Sequence, residues 1–120
     1  SDEILKAFPE ISTIHVGLLH IFLQHTSASL SINENADSSV RRDMESHFNQ
    51  LAPEDAPYYE HTYEGSDDMP AHIKSALLGC EMSLPIAQGS LKLGTWQGIY
   101  LGEHRDSASA RTLIATLTGE

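Results

Sequence analysis

The chain has 120 residues, 40% of them apolar, which suits one packed domain rather than a disordered segment. A formal charge of −10 with only seven Lys and Arg excludes the clustered cations that a nucleic-acid or anionic-membrane surface needs. A lone cysteine, Cys80, excludes an internal disulfide framework, and with no signal-peptide pattern and no bilayer-length apolar run a cytoplasmic location is expected.

In chain order, Ile4 to Phe8 is expected to form a short helical turn ended by Pro9. His15 to Gln24 alternates as a strand, with Leu19, Ile21, Leu23 and His25 on one face and Val16, Leu18, His20 and Phe22 on the other. Apolar residues on both faces predict a central strand covered on both sides. His25 then emerges at the end of a core face, before the polar run Thr26-Ser27-Ala28-Ser29. Leu30 to Ile32 can pair briefly before Asn33-Glu34-Asn35 breaks the strand. A helix capped by Asn35 or Asp37 runs to about Leu51, with Val40, Met44, Phe48 and Leu51 as its buried stripe. Tyr58 to Tyr63 reads as extended and holds His61.

A second helix starts near Asp68, with Asp67 or Asp68 as N-cap, Pro70 in the first turn and Gly79 as its stop. Strands follow at Glu81 to Ile86, Leu91 to Leu93, Ile99 to Arg105 and Arg111 to Thr118, with a glycine-bounded bend at Gly94 to Gly98. The order of strand, helix, helix and then a run of strands points to an α+β fold with a mainly antiparallel sheet or sandwich.

Seven histidines are the compositional outlier. His25, His61, His72 and His104 stand in polar surroundings and are candidate metal ligands or acid–base groups. No His-Glu-x-x-His or Cys pair is present, so a metal site would need tertiary convergence. His15, His20 and His47 lie on ordinary strand or helix surfaces. Glu64-Gly65-Ser66-Asp67-Asp68-Met69-Pro70-Ala71-His72-Ile73-Lys74 is the densest polar stretch. One of its two aspartates can cap the helix; the other is free to orient a histidine or, with Glu64, to hold Mg²⁺. Lys74 is either a solvated helix residue or a phosphate ligand. In Gly94-Thr95-Trp96-Gln97-Gly98, Thr95 and the local amides can bind phosphate and Trp96 can stack on a ring; the competing reading is a hairpin bend with Trp96 in the core. Arg105 is a candidate anion clamp, or else an ion-pair partner of Glu103.

His25-Thr26-Ser27-Ala28-Ser29-Leu30, Ile32-Asn33-Glu34-Asn35-Ala36-Asp37, the Glu64–Lys74 stretch, and Leu93 to Leu101 with Glu103-His104-Arg105 occur together in family order. In these motifs the chain resembles the YjbQ-like proteins, also called the secondary thiamine-phosphate synthase family, over nearly all of its length from about Gly17 to Gly119. The resemblance implies one domain over residues 1–120: an antiparallel β-sandwich with two helices, assembled as a homotrimer. It also implies a chain shortened at its N-terminus by one or two strands relative to the family. It implies that His25, His61, His72 and His104 gather at one pocket with a divalent metal (Zn or Mg). Finally it implies a weak thiamine-phosphate synthase activity, joining a pyrimidine diphosphate to a thiazole phosphate with loss of pyrophosphate.

The main reading is therefore an enzyme of small phosphorylated metabolites. Catalytic candidates are His25, His72, His104, Glu64, Asp67 and Asp68. Thr26, Ser27, Asn33, Asn35, Lys74, Thr95, Trp96, Gln97 and Arg105 are the substrate- and phosphate-binding candidates. A metal-dependent phosphoester hydrolase and a non-catalytic trimeric binding module are the alternatives.

Overall fold

The computed structural model describes residues 2–120. Helix α1 (Asp2–Ala7) and a 3-10 helix (Pro9–Thr13) lead into strand β1 (Val16–Leu23) and strand β2 (Ala28–Glu34). Helices α2 (Ser38–Leu51) and α3 (Asp68–Leu78) follow, then strands β3 (Glu81–Ala87), β4 (Ser90–Leu91), β5 (Gln97–Glu103) and β6 (Leu113–Gly119). The strands form a four-stranded antiparallel sheet in the order β4-β3-β1-β6 and a separate two-stranded ribbon of β2 and β5. The expected α+β class with antiparallel sheets is what the structure shows.

Alternation builds the core. Leu19, Ile21 and Leu23 of β1 point inward with Leu84 and Ile86 of β3, and meet Ala28 and Leu30 of the ribbon in one cluster. Each of these seven residues is no more than 2% exposed, so the inner face matches the sequence reading. The outer face does not. Val16 is 66% exposed, and Leu18, Phe22 and Ile114 are exposed with it, so β1 is covered on one side only. Helix α3 packs on the ribbon and α2 lies beyond it, and among the described residues neither long helix covers the outer face of the sheet.

Helix α3 lies along the free edge of β2. His72 Nδ1 meets the Thr26 carbonyl at 2.7 Å, Ser75 Oγ donates to the Ala28 carbonyl at 2.7 Å, and Leu30 N–H donates to the Gly79 carbonyl at 2.9 Å. Covering an edge in this way removes a template for further pairing. It also fixes His72 against the strand. Asp37 caps α2 by accepting from Ser39 N–H at 2.8 Å, one of the two caps expected. The buried stripe expected on α2 is not found, because the helix stands off the ribbon. None of its residues is buried, and Leu51 is exposed.

Two further corrections concern extended segments. β2 continues through Asn33 and Glu34, which pair with Gly98 and Gln97, because the β5 ladder outweighs the turn preference of asparagine. Tyr58 to Tyr63 joins no strand, with turns at its two ends and irregular backbone between them. Gly79 ends α3 at φ +107°, in the region that L side chains avoid, and an added Cβ would meet nothing nearer than the Leu30 carbonyl at 3.8 Å. Gly79→Ala is therefore expected to destabilise the fold through backbone strain alone, by about 1 kcal/mol. Urea unfolding measures it, and a neutral substitution would contradict that reading of the cap.

Candidate metal centre

The stretch from His61 to His72 folds back on itself. Gly65, at φ +114°, turns the chain into α3, and the first helical residue, Asp68, faces inward at 2% exposure. Its Oδ2 lies 2.6 Å from His61 Nε2 and 3.1 Å from His72 Nε2. The i to i+4 spacing sets Asp68 and His72 on one face of α3. These three donors all lie within 4.8 Å of one another. Both imidazoles keep about a third of their side-chain surface open, His61 at 32% and His72 at 30%.

The protons decide what the cluster can do. His72 gives its Nδ1–H to the Thr26 carbonyl, so the neutral ring turns its Nε2 lone pair toward Asp68 Oδ2. A lone pair facing a carboxylate oxygen needs either a second proton on the imidazole or a cation held between the two. Two imidazoles and one carboxylate, with solvent access on the remaining side, fit a divalent cation such as zinc.

Outer contacts hold the carboxylate still. Asp68 Oδ1 accepts from Arg105 Nη1 at 2.6 Å, Arg105 Nε donates to Asp67 Oδ2 at 2.9 Å, and Arg105 Nη2 donates to the Glu64 carbonyl at 3.0 Å. Asp106 N–H adds a 2.8 Å bond to Asp67. Burial works against ionised Asp68, but the His61 hydrogen bond and the interactions with His72 and Arg105 keep its carboxyl below the usual range. Asp67 is lowered by the Asp106 amide and then by Arg105. Neither aspartate caps α3 with its side chain. Asp67 does occupy the N-cap position, one of the two expected, but the side chains of Asp67 and Asp68 anchor an arginine and orient two histidines, and Arg105 is committed to them rather than open to an anion.

Of the four histidines expected in one pocket, the structure brings His61 and His72 together with Asp68, while His25 and His104 meet other partners. His25 Nε2 accepts from Thr112 N–H at 2.7 Å, which pins the chain entering β6 and occupies the lone pair a metal would need. His104 Nε2 pairs with Ser29 Oγ at 2.8 Å. Burial, and then the positive charge of Lys74, lower the pKa of His104. Glu64 stands nearby, with Oε2 3.8 Å from His61 Nε2. Thr26 contributes its carbonyl, and Ser27 is held by Arg111. Lys74 Nζ reaches Asn49 Oδ1 at 2.7 Å.

Asn33, Asn35, Thr95, Trp96 and Gln97 sit elsewhere. They cluster where Glu34 pairs with Gln97, at the opposite end of β5 from the Glu103–Ala28 pair, about 20 Å away at strand rise. Trp96 is 64% exposed, so it is not a core residue either. Its carbonyl accepts from Asn35 N–H at 2.8 Å, closing that end of the ribbon.

Sequence reasoning missed Arg111, which it read only as the start of a strand. Its guanidinium grips Glu103 with a fork, Nε to Oε1 at 2.7 Å and Nη2 to Oε2 at 2.5 Å, and reaches Ser27 O and Oγ as well. The Arg111 pairing drives Glu103 down to a pKa of about 2. No local pattern marked it, because its partners Glu103 and Ser27 lie 8 and 84 residues away.

Comparison with known proteins extends these observations. A family model described as "UPF0047 protein YjbQ-like" matches residues 1–120. UPF0047 protein YjbQ of Salmonella typhimurium is 56% identical over 120 residues, covering all of this chain and 86% of that protein. UPF0047 protein YugU of Bacillus subtilis is 36% identical over 96% of this chain and 84% of its own length. Among solved structures, a conserved YjbQ/UPF0047-family protein of Clostridium acetobutylicum superposes with a TM-score of 0.85 at 36% identity, covering 98% of this chain and 86% of that one. A conserved hypothetical protein of Thermus thermophilus gives a TM-score of 0.82 at 33% identity, over 96% and 88% of the two chains.

Proposed function

The chain belongs to the YjbQ-like UPF0047 family, and from that premise we propose that it is a metal-assisted enzyme acting on small phosphorylated metabolites. The observation that carries this reading is His72. Its Nδ1 proton is spent on the Thr26 carbonyl, which leaves Nε2 presented, with His61 Nε2, to the buried Asp68 carboxylate. His61, Asp68 and His72 would hold the cation, and the cation when bound would supply the positive charge that offsets phosphate oxygens and polarises the bond to a leaving group.

The surroundings support a phosphate role for that charge. Arg105, Arg111 and Lys74 are each engaged with side chains of this chain, so an incoming phosphate meets no uncommitted cation among these three. Arg105 keeps Asp68 in one rotamer, and Thr26 keeps His72 in one tautomer. Glu64, half exposed beside His61, is placed to take a proton from a water or hydroxyl nucleophile. The synthase reaction implied by the family likeness suits this site, because a diphosphate leaves and needs its charge offset.

A homotrimer belongs to the same proposal. The apolar outer face of β1 and β6 is exposed, and the radius of gyration of 16.4 Å exceeds the roughly 13.6 Å of a compact chain of this length.

A product assay tests the enzymatic reading. Protein loaded with zinc or magnesium is mixed with the pyrimidine diphosphate and the thiazole phosphate, and separately with simple phosphoesters. Thiamine phosphate that falls at least about 100-fold in His72→Ala is the expected result. Phosphate release with the same dependence, and no coupling, would replace the synthase by a hydrolase. No turnover of either kind, or turnover indifferent to His72, would overturn the proposal.

A further inference from the structure

We propose that the cavity between α2 and the β2–β5 ribbon is a second binding site, for a small planar nitrogen heterocycle carrying a hydrogen-bond donor and an acceptor on one edge. The cavity has a volume of about 370 Å³, within the range of small-molecule sites. Its two walls differ in kind. Ser29, Ser31 and Asn33 alternate along β2 and share one face, giving a hydrogen-bonding wall. Val40, Met44 and Phe48 recur every four residues along α2 and give an apolar wall. The walls do not close on each other, since no α2 residue is buried. A ring standing edge-on would set its nitrogens against the strand and its carbons against the helix.

At the floor, Ser29 is 1% exposed and its Oγ lies 2.8 Å from His104 Nε2. The pair adapts to its ligand. If the serine hydroxyl donates to Nε2, Oγ keeps lone pairs to accept with and His104 Nδ1 carries a proton to donate. If Nε2–H donates to Oγ, the serine proton is released for a ligand and Nδ1 becomes an acceptor. Among the described residues Nδ1 has no hydrogen-bond partner. Gly102 shows that space is reserved for the pair. A Cβ there would stand 2.6 Å from Ser29 Oγ and 2.9 Å from His104 Cε1, so any larger residue would displace one of them. Glu34 and Glu45 line the cavity against Arg41, which favours a neutral or cationic ring over an anionic one. The site does not depend on a metal, because none of its residues belongs to the His61–Asp68–His72 cluster.

The probe is cytosine, which pairs an amino donor with a ring-nitrogen acceptor; aniline, which lacks the ring acceptor, is the control. Each is titrated to millimolar concentration into isotope-labelled full chain and followed by two-dimensional NMR. Saturating shifts around Ser29, Gly102 and His104 are expected with cytosine, at least about tenfold weaker with aniline and about tenfold weaker in Ser29→Ala. Gly102→Ala should abolish them, and His61→Ala should leave them unchanged. Should Gly102→Ala fail to fold, Ser29→Ala carries the test, since it deletes a single hydroxyl. Absence of cavity shifts would overturn the proposal. So would equal binding of aniline, indifference to Ser29→Ala, or shifts centred on His61 and His72.

Discussion

Asp68→Asn is expected to weaken zinc binding at least about 100-fold, beyond the loss usual for an outer-contact residue, while the protein stays folded. The substitution keeps the shape of the side chain and removes its charge. Its one oxygen will turn to Arg105, which has only donors to offer, and its amide N–H₂ will then face the two imidazoles. The lone pair that His72 would offer a cation will be satisfied by a side-chain N–H instead. Arg105→Lys tests the outer contacts separately. It keeps the charge but gives up the fork onto Asp67 and Asp68, and should cost about 10–100-fold in zinc affinity. Competition with a chromogenic chelator reads both variants. Unaltered affinity in Asp68→Asn would remove the aspartate from the centre.

The second large effect is on stability. Arg111→Ala should destabilise the fold by about 2–3 kcal/mol, a substantial part of what a domain this size has. Arg111 is only 10% exposed, and it joins Glu103 at the end of β5 to Ser27 before β2, just ahead of β6. Its loss leaves the Ser27 carbonyl and hydroxyl without their donor. The pairing has a pH signature. The folded pKa of Glu103 is depressed to about 2 from an ordinary value of 4.5, so its stabilising contribution is present above about pH 4.5 and is lost as pH falls toward 2. The contribution is discounted because Glu103 is 41% exposed. Urea midpoints for wild type and Glu103→Gln should therefore converge as the pH drops from 5 toward 2. Parallel curves across that range would show that the pair does not couple to folding.

The fold was legible wherever a pattern is local. Alternation in Val16–Leu23 located β1, the aspartate before Ser38 located the start of α2, and Gly79 located the end of α3. The errors arose where a second element decides. Asn33 and Glu34 look like a strand terminator until β5 is beside them, and the stripe on α2 looks like core until the helix is seen standing off the ribbon. Val16, Leu18 and Phe22 have the composition of a buried face, yet among the described residues all three stay exposed.

The site followed the same division. Glu64 to His72 stood out as polar chemistry at a helix start, and three of its members, Glu64, Asp68 and His72, do meet His61. The spacing could not reveal that Asp68 turns inward while Asp67 takes Arg105, because both depend on a loop some forty residues downstream. Nor could it separate His25 and His104 from the cluster. Each finds a neutral partner instead, the Thr112 amide for one and the Ser29 hydroxyl for the other, and those contacts exist only after the strands are paired.

Elemental analysis of untagged protein, purified without chelators, bears most directly on the proposed centre. The expected result is one divalent cation per chain, lost in His61→Ala and His72→Ala and retained in His25→Gln and His104→Gln. Metal absent from folded wild-type protein after incubation with zinc, or retained undiminished in His72→Ala, would contradict a centre built on His61, Asp68 and His72.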